Sequence, residues 1–94
     1  MNYQKIRKLQ KENGVDVMQR LIDNGSVWHL EGTVGRQAME LLSSGACMLP
    51  KQSHKDAYGN YIPSRDEVKA GSTGSYKNAV KYWESIHDYD AMYI

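Results

Sequence analysis

Residues 3–25 read YQKIRKLQKENGVDVMQRLIDNG, and this stretch decides the fold class. Its apolar residues recur every three or four positions, which is the spacing of one helix face. An Asn-Gly pair follows each apolar stripe, at 13–14 and at 24–25, and glycine in that place ends a helix at little steric cost. Asp16 stands where it would cap the second helix. The pattern predicts a helical hairpin over residues 1–25.

Residues 26–49 are predicted to be extended, then helical, then extended again. The segments 27–30 (VWHL) and 46–49 (ACML) are short and apolar, with β-branched or aromatic members, as is typical of strands. Between them, Thr33 is predicted to cap a third helix and Gly45 to close it. Because the two segments flank one helix, we expect them to pair as a minor β-hairpin at most.

The second half of the chain is predicted to be a long loop followed by one helix. Residues 50–75 contain glycine or proline at short intervals and are expected to form an irregular loop. The last helix is expected over residues 75–88, with an acidic and aromatic tail at 89–94. The sequence therefore predicts a single, mainly α domain over residues 1–94, with about four helices, a minor hairpin and the long loop.

The composition is typical of one small intracellular domain. A chain of 94 residues buries roughly 60–65% of the surface that its unfolded form exposes, so we expect a thin core. Cys47 is the only cysteine, which favours a reducing cytoplasm over a secreted disulfide scaffold. No apolar run reaches the roughly 18 residues of a membrane span, so no membrane association is expected. The predicted core consists of Ile6, Leu9, Val15, Met18, Leu21, Ile22, Leu30, Val34, Ala38, Leu41, Leu42, Leu49, Val80 and Trp83.

The aromatic content favours a binding protein over an enzyme. The chain has seven Tyr and two Trp but no Phe, and a small core has little room for nine large rings with polar edges. Tyr and Arg dominate the energetics of protein interfaces. The loop turn around Tyr58 and Tyr61, with Arg65 and Lys55 beside it, is therefore the predicted protein-binding site.

A second candidate site, for an anion, lies at the predicted start of the third helix. Thr33, Gly35 and Arg36 would place backbone N–H groups and a guanidinium near the positive end of the helix dipole. An ordinary threonine cap, with a glycine for close packing, explains the same residues. The three histidines are scattered and share no ligand spacing, so we predict no metal, no cofactor and no catalytic residue.

A nucleic-acid-binding function is the alternative to protein binding. The net charge of +1 gives the whole molecule a weak field, and the first two helices do not match the spacing of a helix-turn-helix motif. Basic residues interleaved with aromatic ones nevertheless suit single strands. They lie on the first helix and in the loop: Lys5, Arg7, Lys8, Lys11, Lys51, Lys55, Tyr58, Tyr61 and Arg65.

Four short stretches resemble one type of protein. They read GTVGRQAM at 32–39, SGACML at 44–49, DAYGNYIPSR at 56–65 and VKAGSTGS at 68–75. Together, over about residues 30–76, they resemble small accessory proteins of tailed bacteriophages. The resemblance, to proteins that are themselves uncharacterised, implies context only: a phage or prophage gene product that works in the host cytoplasm. Small phage accessory proteins commonly bind and redirect host enzymes or defence systems, so we expect a protein that binds a host protein and inhibits or modulates it in host takeover or anti-defence. The resemblance implies no site residue, and it leaves the partner's identity and the oligomeric state open.

Overall fold

A computed structural model describes the backbone of residues 1–30 and 32–92 and the side chains of 1–30 and 32–86. Four α-helices, one short 3-10 helix and one two-stranded antiparallel sheet form a single small domain, so the predicted fold class is confirmed. In chain order the elements are α1 (Tyr3–Glu12), α2 (Asp16–Asp23), the 3-10 helix (Ser26–His29), α3 (Gly32–Ser44), β1 (His54–Lys55), β2 (Tyr61–Ile62) and α4 (Tyr76–Met92).

Local signals fix three of the helix ends. The Asn2 side chain accepts a hydrogen bond from the Lys5 N–H at 2.8 Å and so caps α1. Gly14 has a φ of 75°, the left-handed conformation that turns the chain from α1 into α2. The Ser75 hydroxyl accepts a hydrogen bond from the Asn78 N–H at 3.1 Å, which fixes the start of α4. These ends depend only on neighbouring residues.

Two predicted caps are wrong. Val15 occupies the cap position of α2 and Asp16 is the first helical residue, whose carboxylate forms ion pairs with Arg7 at 2.5 Å and Arg20 at 3.0 Å. Asp16 is buried, so these cations compensate a charge that would otherwise be costly to desolvate. Helix α3 begins at Gly32, which places Thr33 inside its first turn.

The segment 27–30 does not form the predicted strand. The Asn24 side chain accepts a hydrogen bond from the Ser26 N–H at 2.8 Å, and the chain then coils into the 3-10 helix. This local turn overrides the strand preference of Val27 and Trp28. Leu30, at the end of the turn, is 48% exposed, so its place in the predicted core is also wrong.

The segment 46–49 is buried and forms no strand, and two glutamine side chains bond its backbone groups. The Gln19 amide accepts from the Met48 N–H at 2.8 Å and donates to the Met48 carbonyl at 3.0 Å. The Gln10 amide nitrogen donates to the Ala46 carbonyl and to the Gln19 amide oxygen, both at 2.9 Å. Gln10 and Gln19 have no exposed surface. Side chains of α1 and α2 thus satisfy backbone groups that a neighbouring strand would otherwise pair with.

The hairpin forms within the long loop instead of between residues 27–30 and 46–49. Its register pairs His54 with Ile62 and Lys55 with Tyr61. The rest of the region 50–75 is irregular but fastened to the domain. Arg65 N–H donates to the Pro50 carbonyl at 2.9 Å, and Leu49 N–H donates to the Gly74 carbonyl at 2.9 Å.

The core matches the predicted residues in most places. Seven predicted side chains are buried: Ile6, Leu9, Ile22, Ala38, Leu42, Leu49 and Trp83. Six are half-buried and pack against that core: Val15, Met18, Leu21, Val34, Leu41 and Val80. Further buried apolar residues were not predicted from the sequence, namely Val27, Ala46, Cys47, Met48 and Ala79.

The last helix is longer than the predicted 75–88. Helix α4 continues to Met92, so residues 89–92 of the predicted tail are helical. Residues 93–94 lie outside the described part of the chain.

Candidate functional site

The turn between β1 and β2 is held by one side chain. The Asp56 carboxylate accepts hydrogen bonds from the Tyr58 N–H at 2.9 Å, the Asn60 N–H at 2.8 Å and the Asn60 side chain at 3.2 Å. An aspartate that bonds backbone groups a few residues ahead is a common way to shape a turn. The Tyr58 side chain takes no part in these bonds and is free to project from the tip.

Both predicted tyrosines are exposed. Tyr58 keeps 88% of its surface accessible and Tyr61 keeps 57%, and Lys55, which pairs with Tyr61 in the hairpin, is exposed as well. We call Lys55, Tyr58 and Tyr61 the hairpin surface. The Tyr61 hydroxyl donates to the Glu67 carboxylate at 2.5 Å, which restrains the ring before any partner binds. A restrained aromatic side chain loses less entropy on binding.

Internal hydrogen bonds lower the pKa values of two carboxylates, Asp56 in the hairpin turn and Glu67 in the loop that follows it. Desolvation raises the pKa of Asp56, but the hydrogen bonds from Asn60 and Tyr58 together outweigh it, so the pKa lies below its ordinary value. The Tyr61 hydroxyl and the Ser64 N–H lower the pKa of Glu67 in the same way. Because both pKa values are depressed, the bonds are present at neutral pH and are lost only as the carboxylates protonate in acid.

A groove with mixed polar and apolar walls adjoins the hairpin surface. It has a volume of about 400 Å³, and Trp28, Leu30 and Tyr58 contribute to its walls. Gly32 and Gly35 of α3 also line it, and a Cβ added at either would meet open space. The groove can therefore receive an apolar side chain from a partner. The sequence alone does not reveal it, because it brings together residues from three separate segments.

The residues of the predicted anion site lie on the first turns of α3. Thr33 and Arg36 are exposed, and Gly35 is half-buried at the groove. An anion at this place stays a prediction.

Arg65 is not the exposed anchor that the sequence predicts. It is only 8% exposed, because its guanidinium donates to the Leu49 carbonyl and to the Asp23 carboxylate, each at 2.9 Å. Asp23 lies 42 residues away in the chain, so no local pattern signals the pair. Arg65 fastens the loop to α2 and does not belong to the hairpin surface.

The basic face of α1 is smaller than the sequence suggests. Arg7 is half-buried and forms the ion pair with Asp16. Lys5, Lys8 and Lys11 are exposed. The arginines at 7 and 65 are thus both held by internal carboxylates, which leaves lysines as the exposed cations of the predicted nucleic-acid surface.

The single thiol is enclosed in the core. Cys47 has no exposed surface, and burial raises the pKa of its thiol from 9.0 to about 12, with Asp23 adding to the rise and Arg7 opposing it. The thiolate is the reactive form, so the native thiol should be inert at neutral pH. Within the described part of the chain, no three His, Cys, Asp or Glu residues are grouped so that they could hold a metal ion.

We expect an aromatic disulfide reagent at pH 8 to label Cys47 at least roughly 100-fold more slowly in the native protein than in urea, because labelling requires the core to open. Ser53 is exposed, so a Ser53→Cys, Cys47→Ser variant should react at the rate of a free thiol. Equal labelling of native and unfolded protein would contradict the buried position of Cys47.

The chain matches no protein-family model, no curated protein sequence and no solved structure. None of the helices built from the described residues has the length and apolar character needed to cross a lipid bilayer.

Proposed function

We propose that this chain is a small phage-type accessory protein that binds a host protein through the hairpin surface and modulates or inhibits it in the host cytoplasm. The observation that carries the proposal is Tyr58, which is 88% exposed at the tip of a turn that Asp56 holds without help from the ring. Tyrosine is among the residue types most enriched in interface hot spots, and its large ring can be buried in a pocket of the partner.

Two further observations support this proposal. Tyr61, restrained by Glu67, adds a second aromatic contact on the same hairpin. The groove beside Tyr58 supplies apolar surface at Trp28 and Leu30 for a side chain of the partner. The resemblance of residues 30–76 to phage accessory proteins supplies the host context. The proposal assigns the chain no catalytic step and no cofactor.

We expect the double substitution Tyr58→Ser, Tyr61→Ser to weaken capture of the host partner by at least about 30-fold, since a hot-spot side chain contributes about 2 kcal/mol or more. The tagged protein would be incubated with host lysate, and the captured protein would be identified by mass spectrometry. Its affinity for each variant would then be measured with the purified partner.

The matched control is Val17→Ser on α2, which also removes an exposed apolar side chain, here 62% accessible, outside the hairpin surface and its groove. Circular dichroism would verify that every variant is folded. If Val17→Ser and the double variant lose affinity equally, or if neither does, the hairpin surface is not the binding site.

Nucleic-acid binding is the second candidate function, and the exposed Lys5, Lys8 and Lys11 of α1 favour it. It would be recognised in the same experiment by a nuclease-treated arm. The nucleic-acid function would be favoured over protein binding if the captured material disappears with nuclease and if single-strand binding weakens steeply with salt. Capture that resists nuclease would exclude this alternative.

A further inference from the structure

A second cleft lies where the loop meets α1 and α4. Its volume is about 240 Å³, and it is lined by Tyr3, Lys51, Arg65, Asp66 and Tyr76. None of these residues belongs to the hairpin surface, so a ligand site in this cleft is independent of the proposed function. The central feature of the cleft is Arg65, a cation that is more than nine-tenths buried.

The Arg65 guanidinium is fixed from three sides. Its Nε donates to the Leu49 carbonyl and its Nη2 to the Asp23 carboxylate, each at 2.9 Å. The guanidinium carbon also lies 5.2 Å from the centroid of the Tyr3 ring, within the range of a cation–π interaction. A guanidinium held in this way is pre-organised, so little entropy is lost when it binds a further acceptor.

The third nitrogen of the guanidinium remains available. Nη1 makes no hydrogen bond to any described residue. Some polar atoms of the described side chains are fully buried without a partner, and Nη1 is not one of them. Arg65 lines this cleft, and it also lines an adjoining cleft of about 210 Å³ that shares Asp66 and Tyr76. An N–H donor on a charged group binds anionic oxygen more strongly than neutral oxygen.

The surrounding charges limit which anion fits. Asp23 already balances much of the Arg65 charge, while the exposed side chains of Lys51 and Asp66 at the rim oppose each other. The cleft therefore suits a group of low charge rather than a polyanion. The rings of Tyr3 and Tyr76 offer apolar surface for an aromatic ring attached to that group.

We propose that this cleft binds a singly charged carboxylate attached to an aromatic ring. The oxyanion accepts hydrogen bonds from Arg65 Nη1 and lies near the Lys51 ammonium. The aromatic ring packs against Tyr3 and Tyr76.

The test is a titration of the ¹⁵N-labelled protein with benzoate, phenyl phosphate or inorganic phosphate, monitored by NMR. We expect saturable shifts of the Arg65 Nε–H signal and of the amides of Tyr3, Lys51 and Tyr76. Benzoate should bind more tightly than phenyl phosphate, and the reverse order would overturn the choice of a singly charged group. Shifts that spread over lysines throughout the chain without saturating would overturn the site, and phosphate binding as tightly as phenyl phosphate would overturn the aromatic part.

Variants at the rim test the charges without disturbing Arg65, whose replacement would release the loop from α2. Lys51→Gln should weaken binding by about threefold and Asp66→Asn should strengthen it by about threefold, as is usual for exposed charge pairs. Lys81→Gln, on the exposed face of α4 outside the cleft, is the matched control and should change nothing. Equal effects of Lys51→Gln and Lys81→Gln would show a general charge effect and overturn the proposal.

Discussion

Replacing Gln19 with leucine is expected to lower the free energy of unfolding by about 3–5 kcal/mol, since buried groups left without partners cost about 1–3 kcal/mol each. The substitution removes the bonds to the Met48 N–H and carbonyl and leaves the Gln10 amide with one acceptor fewer. Leucine fills a similar volume, so the loss reports the hydrogen bonds rather than a cavity. A small domain is stable by only about 5–15 kcal/mol, so the loss removes a large share of the total stability.

Urea denaturation monitored by circular dichroism would measure the change from the midpoint and slope. Gln37→Leu is the control, because Gln37 is exposed on α3 and the same substitution there should change stability by less than about 0.5 kcal/mol. If the two variants are equally stable, water or neighbouring groups replace the Gln19 bonds, and the segment 46–49 does not depend on this side chain.

Replacing Gly45 with alanine is expected to cost about 2–5 kcal/mol, the sum of left-handed backbone strain and overpacking. Gly45 has a φ of 101°, and a Cβ there would lie 2.7 Å from the Asn78 carbonyl oxygen and 2.8 Å from the Tyr82 Cβ. The first neighbour is backbone of α4 and cannot rotate away. The contact between the end of α3 and α4 would therefore have to open.

Gly14→Ala separates the two contributions to this cost. Gly14 also has a positive φ, 75°, but a Cβ there would meet nothing within 4 Å. We expect Gly14→Ala to lower the free energy of unfolding by the backbone strain alone, about 1–2 kcal/mol. Thermal or urea unfolding of both variants gives the difference, and a Gly45→Ala variant as stable as Gly14→Ala would mean that α4 shifts freely.

Features set by neighbouring residues could be predicted from the sequence. The turn after α1 follows from Gly14, the start of α4 from Ser75, and the exposed turn of the hairpin from the sequence around Tyr58. In each case the residues that determine the conformation are close together in the chain. The local turn sequence also predicted that Tyr58 and Tyr61, two of the four predicted binding residues, are exposed.

Features set by distant residues could not be predicted. The segment 46–49 was expected to pair with 27–30, but Gln10 and Gln19 satisfy its backbone from 36 and 29 residues away. Arg65 was expected at the surface, but Asp23 holds it inside the loop. Buried glutamine and arginine are exceptions to the usual partition of polar residues, and only the three-dimensional positions of their partners reveal them.

In the hairpin, the residues that shape the turn differ from those that we propose contact a partner. Asp56 and Asn60 shape the turn, whereas the Tyr58 side chain makes no hydrogen bond to any described residue. A mutation at position 58 therefore changes what the tip can contact at almost no cost in stability. If a target protein changed its surface, single substitutions at position 58 could restore binding, and each intermediate variant would still fold.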